Sequence, residues 1–218
     1  MNVKLIVKYR TPKGVDTSFE SDFLSVEHAL KIAEDLDRLQ RAKELQFIDD
    51  HETTWTAKEL QKFIAEIETE PHDIKVYFDG GYDLSTKEAG LGCLVYYSQN
   101  GSTYRLRKNA LIEEIETNNE AEYAALHLAI KELKELGVQH MPVHFLGDSK
   151  VVIYQLSGEW PCLEESLSNW ADRIEKELNQ LCIIPSYQTI SRKDNRKADH
   201  LASQALKHIE INSTKKIN

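Results

Sequence analysis

Four acidic residues occupy positions where an isolated charge would be unfavourable. They lie at the ends of two predicted strands and near the starts of two predicted helices, and they are Asp79, Asp148, Glu122 and Asp199. An ionised carboxylate at a buried or edge position is costly unless it is paired or bound to a metal. Oxygen ligands without His or Cys favour Mg²⁺ or Mn²⁺. A shared metal site would explain why four separate elements carry these acids.

The segment TNNEAEYAALHLAIKELKEL carries two early glutamates on different faces of one predicted helix. Glu122 heads an apolar stripe that continues with Leu126, Ala129, Leu133 and Leu136. Glu120 shares its face with Ala124, His127 and Lys131. Helical spacing therefore predicts that Glu120 faces water and that Glu122 faces a packed site.

The segments that carry these acids have the pattern of a mixed α/β domain. Three extended runs separated by turns predict antiparallel strands, in the order IKVYFDGG, GLGCLVYY and STYRLRKNALI. The pattern then predicts a helix over 119–136, the strand VHFLGD, a helix from Ser149, a helix near 163–180, the strand IIPSYQTI and the helix NRKADHLASQALKHI. The acids are thereby distributed over the sheet and its flanking helices.

A separate small domain precedes this one. Residues 1–70 predict a ββαβα unit: a hairpin, a helix capped by Ser25, the strand LQFI, and a helix that starts with a capping box from Thr56 to Glu59. Pro71 interrupts the charged segment EIETEPHD and cannot continue the preceding helix. We therefore expect domains over 1–70 and 72–210, and a frayed tail over 211–218.

Composition restricts the class of protein. The chain has 218 residues, 41% of them hydrophobic, which is enough for a sizeable core. No run approaches the roughly 18 apolar residues of a membrane span, so we expect a cytoplasmic protein without a membrane partner. The net charge of −9 argues weakly against a general nucleic-acid binder. Any contact with phosphate must therefore come from locally clustered basic residues.

The motifs DGG, TNNEAE, GDS and NRKADHLA, in this order, resemble type 1 ribonuclease H in its bacterial and archaeal form. Each motif alone is weak, but four in order at suitable spacing are specific. The resemblance covers about residues 72–210. It implies a ribonuclease H-like mixed five-stranded sheet flanked by helices, here behind a small α+β domain. It also implies an endonuclease that cleaves the RNA strand of RNA–DNA hybrids.

The resemblance implies a role for each motif. The family equivalents of Asp79, Glu122, Asp148 and Asp199 are catalytic and hold two Mg²⁺ or Mn²⁺ ions. The equivalents of Gly80, Gly81 and Asn119 lie near ribose 2′-hydroxyls, and those of Thr117 and Asn118 lie beside the strands' backbones or bases. Asn195 either borders the site or caps the last helix. The 2′-hydroxyl distinguishes RNA from DNA, which fits these contacts to a hybrid substrate.

Two features depart from the family pattern. Thr189 stands where many members have a histidine that assists proton transfer or product departure, and SGEWPCLEES is short and acidic where many carry a basic protrusion. The contacts that hold the substrate must then come from the basic cluster at 105–108, from Lys150, or from residues 1–70.

These departures leave other interpretations open. One alternative is a catalytically weak or inactive interaction module, and another is a nuclease or transferase that acts on DNA alone. Four retained acids favour an active enzyme, and the TNN segment favours a hybrid substrate. For residues 1–70, a hybrid-binding role and a protein partner both stay open, because the glycine and aromatic signature of hybrid-binding domains is not visible there.

Overall fold

The computed structural model describes residues 1–40, 42–113 and 115–217. The chain divides into two compact units, Met1–Ile67 and Glu68–Asn218. This division lies a few residues before Pro71, near the boundary that the sequence predicts. Among the described helices, none has the length and apolar character needed to cross a membrane.

The first unit is an antiparallel sheet with two helices. Its elements are β1 (Asn2–Arg10), β2 (Asp16–Glu20), β3 (Leu24–Ser25), α1 (Val26–Arg38), β4 (Ala42–Asp49), β5 (Thr54–Trp55) and α2 (Ala57–Thr69). The sheet order is β2-β1-β4-β5, and β3 pairs with β1. Alternate residues of β1 enter the core, which confirms the predicted ββαβα order with two short strands added.

The exposed face of this first sheet carries matched charges. Basic side chains of β1 pair with acids on the neighbouring strands, in the pairs Lys4–Glu20, Arg10–Asp16 and Lys8–Glu44. Cross-strand pairs of opposite charge stabilise a sheet modestly. Since these cations already have carboxylate partners, the face offers little uncompensated positive charge.

The second unit is a mixed sheet flanked by helices. Its elements are β6 (His72–Asp83), β7 (Glu88–Gln99), β8 (Ser102–Ile112), α3 (Asn118–Glu135), β9 (Pro142–Gly147), α4 (Lys150–Leu156), α5 (Glu165–Gln180), β10 (Ile184–Thr189), α6 (Arg192–Ala205) and β11 (Asn212–Lys216). The strand order is β10-β9-β6-β7-β8-β11. Strands β6, β7 and β8 are antiparallel, whereas β9 and β10 join in parallel. The predicted fold class is confirmed.

The C-terminal segment differs from the prediction of a frayed tail. Residues 212–216 form a sixth strand that pairs antiparallel with β8. Asn109, which is 2% exposed, secures the approach to this strand: its Oδ1 accepts from the Ile211 amide at 2.7 Å and its Nδ2 donates to the Ile209 carbonyl at 2.9 Å. This buried amide side chain thus reinforces the backbone pairing of a polar segment that has no apolar periodicity of its own. Residue 218 lies outside the described residues.

Helices α3 and α6 lie on opposite faces of the sheet, and both approach it closely. A Cβ atom on Gly80 would lie 2.1 Å from the carbonyl carbon of Ala121 in α3. A Cβ atom on Gly92, the β7 partner of Asp79, would lie 2.4 Å from the carbonyl oxygen of Ala198 in α6. Only glycine permits such backbone approach. The first turn of α3 and the middle of α6 therefore pack close to Asp79, one on each side of the sheet.

Candidate metal and active site

Three of the four acids meet at one point. Asp79 lies near the end of β6, Glu122 in the second turn of α3, and Asp148 directly after β9. One carboxylate oxygen from each lies within 4.8 Å of the other two. Asp199, from α6, lines the same cavity of about 470 Å³ but is exposed and lies outside this tight cluster. The fold therefore brings all four predicted ligands to one cavity, three of them into direct proximity.

The electrostatics of the cluster are unfavourable for uncompensated charge. Burial, and then the charges of Asp148 and Asp199, raises the pKa of Asp79 to about 7. Burial and the charges of Asp79 and Asp148 raise the pKa of Glu122 well above its ordinary value. Asp79 and Glu122 are only 8% and 7% exposed. An oxygen-only cluster of mutually repelling acids suits a hard divalent cation, which would offset both effects.

Asn195 holds two of these acids in place. Its Nδ2 donates to Asp148 Oδ1 at 2.8 Å and to the Phe78 carbonyl at 2.9 Å, and it lies 3.3 Å from Asp79 Oδ1. The residue is 1% exposed. Of the two roles that the sequence left open, helix capping belongs to Ser191, whose side chain accepts from the Asp194 amide. Asn195 instead borders the site as a neutral donor between carboxylates.

The residues of the TNN segment have two different roles: Thr117 caps α3, and Asn118 lines the cavity. Thr117 Oγ1 accepts from the Glu120 amide at 3.2 Å, and Glu120 Oε2 accepts from the Thr117 amide at 3.1 Å, which forms a capping box. Asn118 lines the cavity, and its Oδ1 accepts from the Tyr82 amide at 3.3 Å. Thr117 and Asn119 do not line it. Glu120 lies outside the acid cluster but is half-buried as a cap, rather than simply facing water as predicted.

The two glycines after Asp79 have different surroundings. Both line the cavity. The Gly80 amide donates to Glu122 Oε2 at 3.3 Å, and its missing side chain makes room for the backbone of α3. A Cβ atom on Gly81 would only meet Leu206 Cδ1 at an ordinary 3.6 Å. Gly80 is thus required by packing, while Gly81 leaves its backbone open to the cavity.

Sequence reasoning missed the basic side of the cavity. Arg192, Lys193 and Arg196 of α6 line it, and Arg192 Nε lies 3.6 Å from Asp148 Oδ2. The available signal was helical spacing, since Arg192 and Arg196 precede Asp199 by seven and three residues on one face. The residues proposed from the sequence, 105–108 and Lys150, do not line this cavity.

Thr189 also lies away from the cavity lining. It is the last residue of β10, is half-buried, and pairs with Gly147 in the sheet. The position where related enzymes carry a histidine is therefore part of a strand here. Arg192, at the start of the next helix, is the residue from this region that approaches Asp148.

Comparisons with known proteins identify the family and the fold of this chain. The model of the reverse transcriptase-like family matches residues 77–205. The uncharacterized protein YpeP of Bacillus subtilis is 46% identical over 205 residues, which cover 94% of this chain and 90% of that protein. Among solved structures, RNase H1 from Halobacterium salinarum is 29% identical with a TM-score of 0.55, covering 62% of this chain and 98% of that chain. LC11-RNase H1, solved in complex with an RNA/DNA hybrid, is 28% identical with a TM-score of 0.54 and the same coverage.

The match spans the whole stretch that holds the four acids and their supporting residues. Family and fold therefore agree, and the predicted resemblance is confirmed. The chain belongs to the reverse transcriptase-like family, and its second unit is a type 1 ribonuclease H-like domain.

Proposed function

We propose that the protein is an endonuclease that cleaves the RNA strand of RNA–DNA hybrids by metal-dependent hydrolysis. The observation that carries this proposal is the cluster of Asp79, Glu122 and Asp148 in a cavity that Asp199 also lines. The hybrid bound to LC11-RNase H1 supports the substrate class. A cavity lined by Gly81, Asn118 and the basic residues of α6 suits a sugar–phosphate strand.

The acids would hold two Mg²⁺ or Mn²⁺ ions. The donor set fits, because it consists of carboxylate oxygens, and burial together with neighbouring negative charge raises the pKa values of Asp79 and Glu122. When bound, such ions activate a water and stabilise the leaving oxygen of a phosphodiester. The clustered acids Asp79, Glu122 and Asp148 would supply most of the metal ligands, and the exposed Asp199 would add one more from α6.

The remaining residues position the acids and the sugar. The Asn195 amide fixes Asp148 and Asp79, and the Gly80 amide fixes Glu122. Asn118 and the open backbone at Gly81 would meet the ribose, where hydrogen bonds to a 2′-hydroxyl select RNA over DNA. For Thr117 and Asn119, a role near the substrate stays a prediction, as does a protein or nucleic-acid partner for residues 1–70.

The direct test is incubation of an end-labelled RNA–DNA hybrid with the protein in Mg²⁺ and, separately, in Mn²⁺. We expect metal-dependent cleavage within the RNA strand, and no cleavage of the DNA strand or of a DNA duplex of the same sequence. Hybrid binding without cleavage in either metal would favour the alternative of a catalytically inactive interaction module. Cleavage of the DNA duplex would overturn the substrate class.

Replacement of Asn195 by alanine should impair both stability and activity. The change leaves Asp79, Asp148 and the Phe78 carbonyl without a buried donor, which costs about 1–3 kcal/mol in the free energy of unfolding. Displacement of the Asp79 and Asp148 carboxylates should also slow hybrid cleavage by about 10²-fold. Urea unfolding and single-turnover rates would measure the two effects.

The matched control is Asn179→Ala, at an exposed asparagine of α5. It should change stability by no more than about 0.5 kcal/mol, as is usual for surface substitutions. Equal effects of the two substitutions would show that Asn195 does not position the acids.

A further inference from the structure

Helix α6 brings three cations into a cavity whose other charged lining residues are acids. Arg192 lies near Asp148, whereas Lys193 and Arg196 are exposed and form no ion pair with other described residues. The chain as a whole carries a net charge of −9. The positive charge at this wall is therefore a local concentration of basic residues in a chain that is acidic overall.

Helical spacing places these cations directly beside a predicted metal ligand. Arg196 precedes Asp199 by three residues, and Lys193 precedes Arg196 by three, so the side chains are neighbours along one side of α6. A phosphate held beside Asp199 would thus find the next positive charge one helical turn away. Free cations next to a site for a phosphodiester suit a second phosphate group.

The opposite wall of the cavity comes from the other side of the sheet. Asn118 belongs to α3, and Gly80 packs against α3, whereas Gly92 packs against α6 on the reverse face. A strand whose reacting phosphate lies at the acids would therefore extend towards Asn118 in one direction and towards α6 in the other. The first direction offers the Asn118 amide for the sugar, and the second offers guanidinium and ammonium groups.

We propose that Lys193 and Arg196 bind the phosphate of the RNA strand that neighbours the scissile phosphate. This inference rests on the proposed function and adds a substrate-binding subsite to it. The planar guanidinium of Arg196 can donate two parallel hydrogen bonds to phosphate oxygens, and the Lys193 ammonium adds a point charge. The subsite supplies positive charge for binding the substrate's phosphates, which the short, acidic segment between α4 and α5 does not provide.

A phosphate that does not react is held equally in the ground state and the transition state. Loss of this contact should therefore raise KM and leave kcat nearly unchanged. It should also weaken the dependence of binding on salt, because each lost phosphate contact lowers the slope of log Kd against log salt by about 0.7–0.9.

The test compares Arg196→Gln with Lys197→Gln, and then adds Lys193→Gln to the former. Lys197 is the next residue of the same helix, but its Nζ contacts the Tyr96 hydroxyl at 3.1 Å and does not line the acid cavity. Binding of a hybrid would be measured by fluorescence anisotropy across salt concentrations, with all proteins carrying Asp148→Asn so that the hybrid stays intact. Steady-state cleavage would be measured without that change.

We expect Lys193→Gln/Arg196→Gln to raise Kd about tenfold and to lower the salt slope by about 0.7–0.9, because both residues contact the same phosphate, with Lys197→Gln close to the parent protein. Equal changes for Arg196→Gln and Lys197→Gln, or an unchanged Kd for the double variant, would overturn the subsite. The proposed function is judged separately, by whether the unmodified protein cleaves hybrid: cleavage with no change in Kd or KM refutes the subsite alone.

Discussion

Asp148→Asn is expected to abolish hybrid hydrolysis while the fold stays intact. The substitution preserves size and removes the charge of one of three carboxylates that lie within 4.8 Å of one another. Divalent ions prefer ionised oxygen ligands, and their contribution to a phosphodiester transition state is several kcal/mol. Since each 1.36 kcal/mol corresponds to a tenfold change in rate, the loss should be about 10³-fold or more.

The Asp148→Asn variant should lose its activity without losing stability. The charge of Asp148 contributes to the raised pKa values of Asp79 and Glu122, so its removal relieves repulsion in the metal-free protein. The unfolding midpoint without metal should therefore be unchanged or slightly higher. Added Mg²⁺ should raise the midpoint of the unmodified protein more than that of the variant, because binding to the folded state alone stabilises it.

The control is Glu120→Gln, which removes a carboxylate two residues from Glu122. Glu120 belongs to the capping box with Thr117, and glutamine can still accept a hydrogen bond in that motif. Rates should stay within a factor of about three of the parent, which corresponds to less than 1 kcal/mol. Comparable losses from Asp148→Asn and Glu120→Gln would mean that the acid cluster is not the reacting centre.

The sequence was sufficient to predict which helix face carries the acid that joins the cluster. Helical spacing placed Glu122 and Glu120 on different faces of one helix, and Asp79 and Asp148 were recognised at the ends of predicted strands. Both inferences work because the period of a helix or strand determines the direction of each side chain. The family order of motifs then linked these positions to Asp199. The structure places all four at one cavity, although the exposed Asp199 lies outside the tight cluster.

What the sequence did not predict depends on tertiary contacts. Strand β11 has no apolar alternation and is held by backbone pairing with β8 and by the buried Asn109 just before it, which no local pattern reveals. The dual donation of Asn195 to Asp79 and Asp148 likewise joins residues more than forty positions apart. Such roles arise only when distant elements meet, and single-sequence patterns describe mainly the elements themselves.

Gly80→Ala should destabilise the protein strongly and also reduce its activity. The added Cβ would lie 2.1 Å from the Ala121 carbonyl carbon and 2.4 Å from the Glu122 amide nitrogen, both backbone atoms of a helix in the core. Backbone cannot yield as a flexible side chain does, so the cost should reach about 3 kcal/mol or more. Because α3 must shift away from the sheet, Glu122 would leave its position beside Asp79.

Gly81→Ala provides the matched comparison at the adjacent residue. Its Cβ would meet only Leu206 Cδ1 at 3.6 Å, so the free energy of unfolding should change by less than about 1 kcal/mol. If the Gly81 backbone approaches the ribose as the family resemblance implies, the methyl group should instead raise KM for the hybrid. Urea unfolding and steady-state kinetics of both variants distinguish the two roles. Equal stability of the two variants would refute the close packing of β6 on α3 that places Glu122 beside Asp79 and Asp148.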